Sequence, residues 1–225
     1  MKHIGFPNND KAVYLERVRR HRAADELVRG MGWDGFRGCL IGCTLEEYDH
    51  AKYAELIGVC EKTAVLIDWL FENLPENHVA LPERVLQAIK PGADLSRIYS
   101  DWQIRLQTRN LARISAGEED WKIACRNGIR SVISMFAGQN DPSDAAMAAA
   151  EAARVAAAWS VARASAAWSV ESAMSASWSA AWSAAESAMA AAEAAKSSAA
   201  WSVAAAEIVQ QANDLIELLE LAGKR

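Results

Sequence analysis

Proline and glycine, which interrupt helices, are absent from a long stretch of this chain. The sequence has five prolines and twelve glycines, and none of them lies between Pro142 and Gly223. Strand signals are scarce as well, because no segment alternates apolar and polar residues and no tight turn joins two β-branched runs. These absences exclude a sheet-based architecture and predict an all-α protein.

Positive charge, cysteine and uninterrupted apolar runs are also in short supply. A net charge of -5 argues against general nucleic-acid binding, which needs a basic face. Four cysteines are too few for a disulfide framework. Charged residues interrupt every window long enough to cross a membrane. The first ten residues lack the apolar core of a secretory signal, so we expect a cytoplasmic protein.

Recognisable catalytic and cofactor motifs are missing from the sequence. The glycine spacing fits neither a phosphate-binding Walker loop nor a dinucleotide fingerprint. No nucleophile elbow, zinc-protease motif or paired-carboxylate arrangement stands out. We therefore expect no cofactor, and a binding protein rather than an enzyme.

Helical periodicity and helix-breaking residues divide the chain into two parts. Residues 1–140 form the expected compact helical domain, and a Gly138 stop followed by Asp141 and Pro142 begins a second region, residues 141–225. The helices predicted within the first domain cover residues 10–28, 44–57, 61–74, 82–89, 96–115 and 118–136.

The second region is dominated by alanine and serine, with the pair Trp-Ser recurring along it. Alanine favours helix strongly, so we expect one long helix or a helical hairpin. Small side chains let helix axes approach closely, and the large residues would fall on one half of a coiled coil with an 11-residue repeat. We expect a homo-oligomer built through Trp159, Trp168, Trp178, Trp182, Trp201, Ile208, Leu215 and Leu219.

A glycine-rich and cysteine-rich turn, residues 30–44, is the most distinctive local feature. Thr44 to Glu47 reads as a capping box, which predicts a helix that starts directly after the turn. Free backbone N–H groups at such a helix start suit a small anion. The predicted binding residues are Arg29, Arg37, Cys39, Cys43, Thr44, His50 and Tyr53.

Three other interpretations of this turn stay open. Cys39, Cys43 and His50 would supply three ligands of a tetrahedral metal site. Cys43 near a helix start, with His50 as its base, would make a reactive thiol in an enzyme or redox protein. The plainest interpretation is that small buried cysteines pack where a tight turn crosses the core.

The segments GCLIGCTLEEYDHAKY, LPERVLQAIKPGADLS and QQANDLIELLELAG carry a family resemblance. They resemble an uncharacterised family of bacterial and phage proteins with a Gly-Cys-x-x-Gly-Cys-Thr-Leu core, a downstream His and Tyr, and an Ala/Trp-rich or Ala/Tyr-rich C-terminal region. The resemblance implies a phage or mobile-element setting, highlights Cys39, Cys43, Thr44, His50 and Tyr53, and brings no known activity with it.

The expectation from the sequence is an oligomeric, non-enzymatic binding protein without membrane or nucleic-acid partners. It would bind a small anionic ligand or a host protein through the turn. A thiol enzyme using Cys43 with His50, and a structural scaffold built by the Ala-rich helix, are the alternatives.

Overall fold

The computed structural model describes residues 2–75, 78–114, 120–138 and 198–224. Within these ranges the chain is predominantly helical, and its only β-type pairings are isolated bridges such as that between Ile4 and Asp94. The helices are α1 (Lys11–Ala23), α2 (Leu40–Leu45), α3 (His50–Ile57), α4 (Glu61–Asn73), a 3-10 turn (His78–Ala80), α5 (Leu81–Ala88), α6 (Ile98–Arg113), α7 (Asp120–Phe136) and α8 (Ser198–Ala222). The all-α prediction is confirmed for the described residues.

Helices α4 to α7 lie within two residues of their predicted bounds, because strong apolar periodicity and well-placed prolines define them. Helix α1 is shorter than predicted. It ends at Ala23 instead of Val28, since Asp25 adopts a left-handed conformation (φ 56°) that stops the helix. Residues 24–38 then form an irregular segment linked by single bridges, including Leu27 to Gly38.

The predicted capping box at Thr44 is wrong. Thr44 lies inside α2, where its hydroxyl donates to the Leu40 carbonyl at 2.7 Å. Glu46 ends α2 in a left-handed conformation, and α3 starts at His50 with Asp49 as its N-cap, accepting from the Lys52 N–H at 2.9 Å. The helix predicted over residues 44–57 therefore corresponds to the end of α2 and the whole of α3, which a turn separates.

Glycine makes α2 possible at this place in the fold. A side-chain carbon on Gly42 would collide with the carbonyl oxygen of Gly32, and one on Gly38 would meet the same oxygen. The absence of side chains thus lets α2 lie directly against the preceding loop. This close approach buries every residue of α2.

The chain divides into two compact units. The first unit comprises residues 1–102 and 205–225, and the second comprises residues 103–204. In the described part of the second unit, Ile129 and Val132 of α7 pack with apolar residues that include Leu111 and Phe136.

The C-terminal part of α8 belongs to the first unit. Leu215 and Leu219 are fully buried there. The indole N–H of Trp102 donates to the Gln211 carbonyl at 3.1 Å, and Arg84 of α5 donates to the Asn213 side chain at 3.0 Å. Leu215 and Leu219, which the sequence predicts at contacts between copies of the chain, are therefore buried within a single chain.

The other residues expected to join copies of the chain lie mostly beyond the described ranges. Ile208 is half-buried in α8. Trp201 belongs to α8, but its side chain falls outside the described part. Trp159, Trp168, Trp178 and Trp182 lie outside the described residues, as does the predicted boundary at residue 140.

Ion pairs attach α1 to α5. Arg19 Nε lies 2.6 Å from Glu83 Oε1, and Arg22 lies 3.1 Å from Glu83 Oε2. Hydrogen bonds from both arginines lower the pKa of Glu83, with Arg19 the larger cause. Lys11 adds bonds to the carbonyls of Gln87 and Ile89 at the end of α5.

None of the helices in the described ranges has both the length and the apolarity needed to cross a lipid bilayer.

Candidate functional site

Two acidic residues of α4 point from one face of the helix into the first unit. Asp68 and Glu72 are four residues apart, so they lie one above the other on that face. Asp68 is only 7% exposed, which is unusual for a carboxylate. Helices α2 and α3 both pack against α4 and bring further polar side chains to it.

These side chains form what we call the Asp68 cluster, which consists of Cys39, Tyr48, His50, Tyr53, Asp68 and Glu72. Cys39 caps the start of α2, His50 begins α3, and Tyr53 follows one turn later. The Cys39 sulfur and one carboxylate oxygen each from Asp68 and Glu72 all lie within 4.8 Å of one another. The fold thus places a thiol against two carboxylates from residues distant in sequence.

One oxygen of Asp68 is firmly held. His50 Nε2 donates to Asp68 Oδ2 at 3.0 Å, and the Tyr48 hydroxyl donates to the same oxygen at 3.2 Å. The Tyr48 and His50 rings meet edge to face, with centroids 5.1 Å apart. These contacts fix the rotation of the carboxylate.

The other oxygen of Asp68 has no such support. Within the described ranges, neither Asp68 Oδ1 nor the hydroxyl of Tyr53 has a hydrogen-bond partner, although both atoms are buried. A buried polar group left unpaired costs about 1–3 kcal/mol, so proteins seldom tolerate two of them together. Glu72 is better satisfied, since the Gly30 N–H donates to its Oε2 at 2.6 Å.

The surroundings of Cys39 and Glu72 raise the pKa of both groups. Burial raises the pKa of the Cys39 thiol well above its ordinary value, and the Asp68 charge raises it further. Burial also raises the pKa of Glu72, with Asp68 again adding to the effect. The Gly30 N–H and the guanidinium of Arg29 oppose that shift in Glu72. The cluster gathers more potential negative charge than its surroundings neutralise.

Cys43 and His50, which the thiol interpretation pairs, have separate partners. The Cys43 sulfur donates to the carbonyls of Gly38 at 3.3 Å and Glu26 at 3.5 Å. Burial raises the pKa of Cys43 to about 11. His50 instead bonds to Asp68. Among the described residues, the donor atoms that lie close enough together to hold a metal belong to Cys39, Asp68 and Glu72. The set suggested by the sequence combines Cys39 with Cys43 and His50 instead.

The two arginines expected to hold an anion each donate to a protein oxygen, although Arg29 Nε has no partner among the described residues. Arg29 donates to the Leu74 carbonyl and lies close enough to Glu72 for the two charges to interact. Arg37 bonds to Asp34 in the loop, with Nε 3.2 Å from Oδ2. Thr44 uses its hydroxyl within α2.

The loop N–H groups expected to face an anion bond within the protein. The Gly38 N–H donates to the backbone carbonyl of Glu26 at 3.1 Å, and the Val28 N–H donates to the backbone carbonyl of Gly38 at 2.9 Å. The N–H groups of Phe36 and Arg37 both donate to Asp34 Oδ1. A side-chain carbon would collide with neighbouring atoms at Gly32, Gly38 and Gly42, whereas Gly30 and Gly35 have open space around them and positive φ angles.

Sequence reasoning identified Cys39, His50 and Tyr53 as site residues but missed Asp68, Glu72 and Tyr48. A signal for Asp68 was present, because it is the one charged residue in the apolar run Ala64 to Phe71. A lone acid on the buried face of a helix needs a partner. Glu72, one turn later, marks the same face.

Comparison of the chain with protein-family models, curated proteins and solved structures finds no match.

Proposed function

We propose that this protein is a non-enzymatic binding protein whose ligand is a cation bound at the Asp68 cluster. The observation that supports this most strongly is Asp68 itself. It is 7% exposed, one oxygen is fixed by two donors, and the other has no partner among the described residues. A carboxylate oxygen kept in place and left unpaired is ready to accept a ligand.

The chemistry of the cluster favours a cation over the anion that the sequence suggests. Asp68 and Glu72 would repel an anion, and in a partly buried site that repulsion is poorly screened. A cation would instead neutralise both carboxylates and satisfy the open oxygen of Asp68. The turn still has a role in this proposal, because it holds Cys39 against α4.

A thiol enzyme built on Cys43 has less support. A pKa of about 11 leaves almost no thiolate near neutral pH, and the sulfur is buried against two carbonyl groups. His50 would have to break its hydrogen bond to Asp68 before it could act as a base for Cys43.

We further propose that copies of the chain assemble through the Ala-rich region, roughly residues 145–206. The support is compositional, because alanine and serine permit close helix packing while the tryptophans supply apolar contact area. Native mass spectrometry of the full chain tests this: a discrete oligomer is expected, and a monomer at all concentrations would contradict it. The phage setting stays a prediction.

Thermal unfolding with a panel of ligands tests the binding proposal. A cation at 100 times its dissociation constant should stabilise the folded state by about 2.7 kcal/mol, whereas phosphate should have no effect. Asp68→Asn should abolish the response to the cation. Glu55→Gln, at an exposed position of α3, serves as the control and should retain it.

Two results would overturn the proposal. One is stabilisation by phosphate that persists in Asp68→Asn, which would restore the anion interpretation. The other is a cation response of equal size in the wild type and in Asp68→Asn, which would place the binding elsewhere.

A further inference from the structure

We infer that the cation is a thiophilic divalent metal of the zinc type, bound by the sulfur of Cys39 and by one carboxylate oxygen each of Asp68 and Glu72. This inference rests on the proposed function and adds the ligand set and the class of metal. It is also a different set from the Cys39, Cys43 and His50 suggested by the sequence. The arguments are distance, donor chemistry and charge.

The distances are suited to a metal after a small adjustment. Three donor atoms lie within 4.8 Å of one another in the ligand-free chain. In a tetrahedral zinc site, with bonds of about 2.3 Å to sulfur and 2.0–2.2 Å to oxygen, neighbouring donors are about 3.5 Å apart. Side-chain rotations that move each donor by roughly an ångström would suffice. The two carboxylates share one rigid helix, so only Cys39 comes from another element.

The donor types narrow the choice of metal. Thiolate sulfur is a soft ligand that selects zinc and similar metals, whereas calcium and magnesium prefer six or more oxygen ligands. Three protein donors leave one position of a tetrahedral site for water. The set thus fits zinc in both number and softness.

The charges of such a site would nearly balance. A thiolate and two carboxylates bring three negative charges, and zinc brings two positive charges. Arg29, whose charge already interacts with Glu72, supplies the third positive charge. In the metal-free chain a proton on the Cys39 sulfur takes the place of the metal. Binding breaks that S–H bond, forms a sulfur–metal bond and releases the proton to solvent.

His50 and Tyr48 act as positioning residues in this arrangement. Both donate to Asp68 Oδ2, so they hold the carboxylate while Oδ1 remains available. Metal-binding carboxylates are commonly held by such outer hydrogen bonds, and losing one weakens binding by about 10- to 100-fold. The hydroxyl of Tyr53, which has no partner among the described residues, lies close enough to Asp68 and Cys39 for their charges to affect it.

Titration of the full-length, chelator-stripped protein with zinc against a chromophoric competitor is the experiment. Wild type should bind one zinc per chain. Cys39→Ser and Glu72→Gln should each weaken zinc binding by more than 100-fold. This loss is larger than the 10- to 100-fold loss expected from removing an outer hydrogen-bond partner of a ligand. Cys43→Ser is the matched control, since its sulfur bonds only to carbonyls among the described residues, and it should bind like the wild type.

Cobalt provides a readout that does not depend on a variant folding. Cobalt bound to wild type through Cys39 should show an ultraviolet thiolate-to-metal charge-transfer band, and zinc should displace it. Circular dichroism of each variant checks that loss of binding is not loss of fold.

The outcomes separate this inference from the proposed function. Binding of manganese or calcium that depends on Asp68, without zinc affinity or a cobalt–thiolate band, would overturn the inference and keep the cation site. Zinc binding lost equally in Cys43→Ser and Cys39→Ser would overturn the ligand set. No metal response in the wild type would overturn both proposals.

Discussion

Replacing Leu219 by alanine should destabilise the first unit by about 3 kcal/mol. Leu219 is fully buried where α8 packs into that unit. The substitution removes about three carbon atoms from the core, worth roughly 0.8 kcal/mol each in transfer free energy. The cavity left behind adds to this, and measured leucine-to-alanine losses in cores span about 2.7–5 kcal/mol.

Chemical denaturation followed by circular dichroism measures this loss. Val209→Ala, at a position of α8 that is 40% exposed, is the control and should change stability by less than about 0.5 kcal/mol. The loss of stability relative to the wild type should be the same at every protein concentration, because the contacts that the substitution removes lie within one protomer.

The opposite pattern would refute this reasoning. If Leu219 lay between copies of the chain, the substitution would reduce the mass of the assembly in sedimentation, and the loss of stability relative to the wild type would change with protein concentration. A loss below about 1 kcal/mol would mean that α8 does not pack as described.

Three further predictions concern the first unit. Glu83→Gln should lower the free energy of unfolding by about 1 kcal/mol at neutral pH. Because the pKa of Glu83 is lowered in the folded state, the difference from the wild type should shrink as the pH falls through that lowered pKa. Denaturation at several pH values measures this difference. Cys43 should react with iodoacetamide at about pH 7.5 far more slowly than the half-buried Cys60, since a pKa of about 11 leaves roughly 3 Cys43 thiolates in 10,000. Mass spectrometry follows the labelling. Equal rates would contradict the burial of Cys43. Gly42→Ala should lower the free energy of unfolding by about 2 kcal/mol, because the new methyl group collides with the Gly32 carbonyl. An unchanged unfolding midpoint would argue against that close contact.

Helices α4 to α7 show how much of the fold the sequence predicts. Apolar residues in α4 repeat with helical spacing, and Pro82 and Pro91 bracket α5. Such local signals determine local structure, so their bounds were predicted to within two residues.

The region around α2 could not be predicted in the same way. Thr44 and Glu47 make a plausible capping box locally, but Gly42 packs against the Gly32 carbonyl and draws residues 40–45 into a helix of their own. This is tertiary packing overriding a local signal. The docking of α8 is similar, because an amphipathic stripe does not specify whether its partner belongs to the same chain.

The candidate site was half predictable for a related reason. The cysteine turn directed attention to Cys39 and His50, whereas their partner Asp68 lies 18 residues beyond His50 on another helix. Only the packing of α2 and α3 on α4 brings these groups together. The presence of the charged Asp68 in an apolar helix indicated that a polar partner must contact it.

X-ray absorption at the zinc edge, on wild-type protein loaded with one equivalent of zinc, tests the central claim most directly. If Cys39, Asp68 and Glu72 hold the zinc, the spectrum should show one sulfur ligand at about 2.3 Å and oxygen ligands at about 2.0–2.2 Å. The sulfur contribution should disappear in Cys39→Ser and persist in Cys43→Ser. Two sulfur ligands, or a shell with no sulfur at all, would contradict the assignment of Cys39, Asp68 and Glu72 as the metal site.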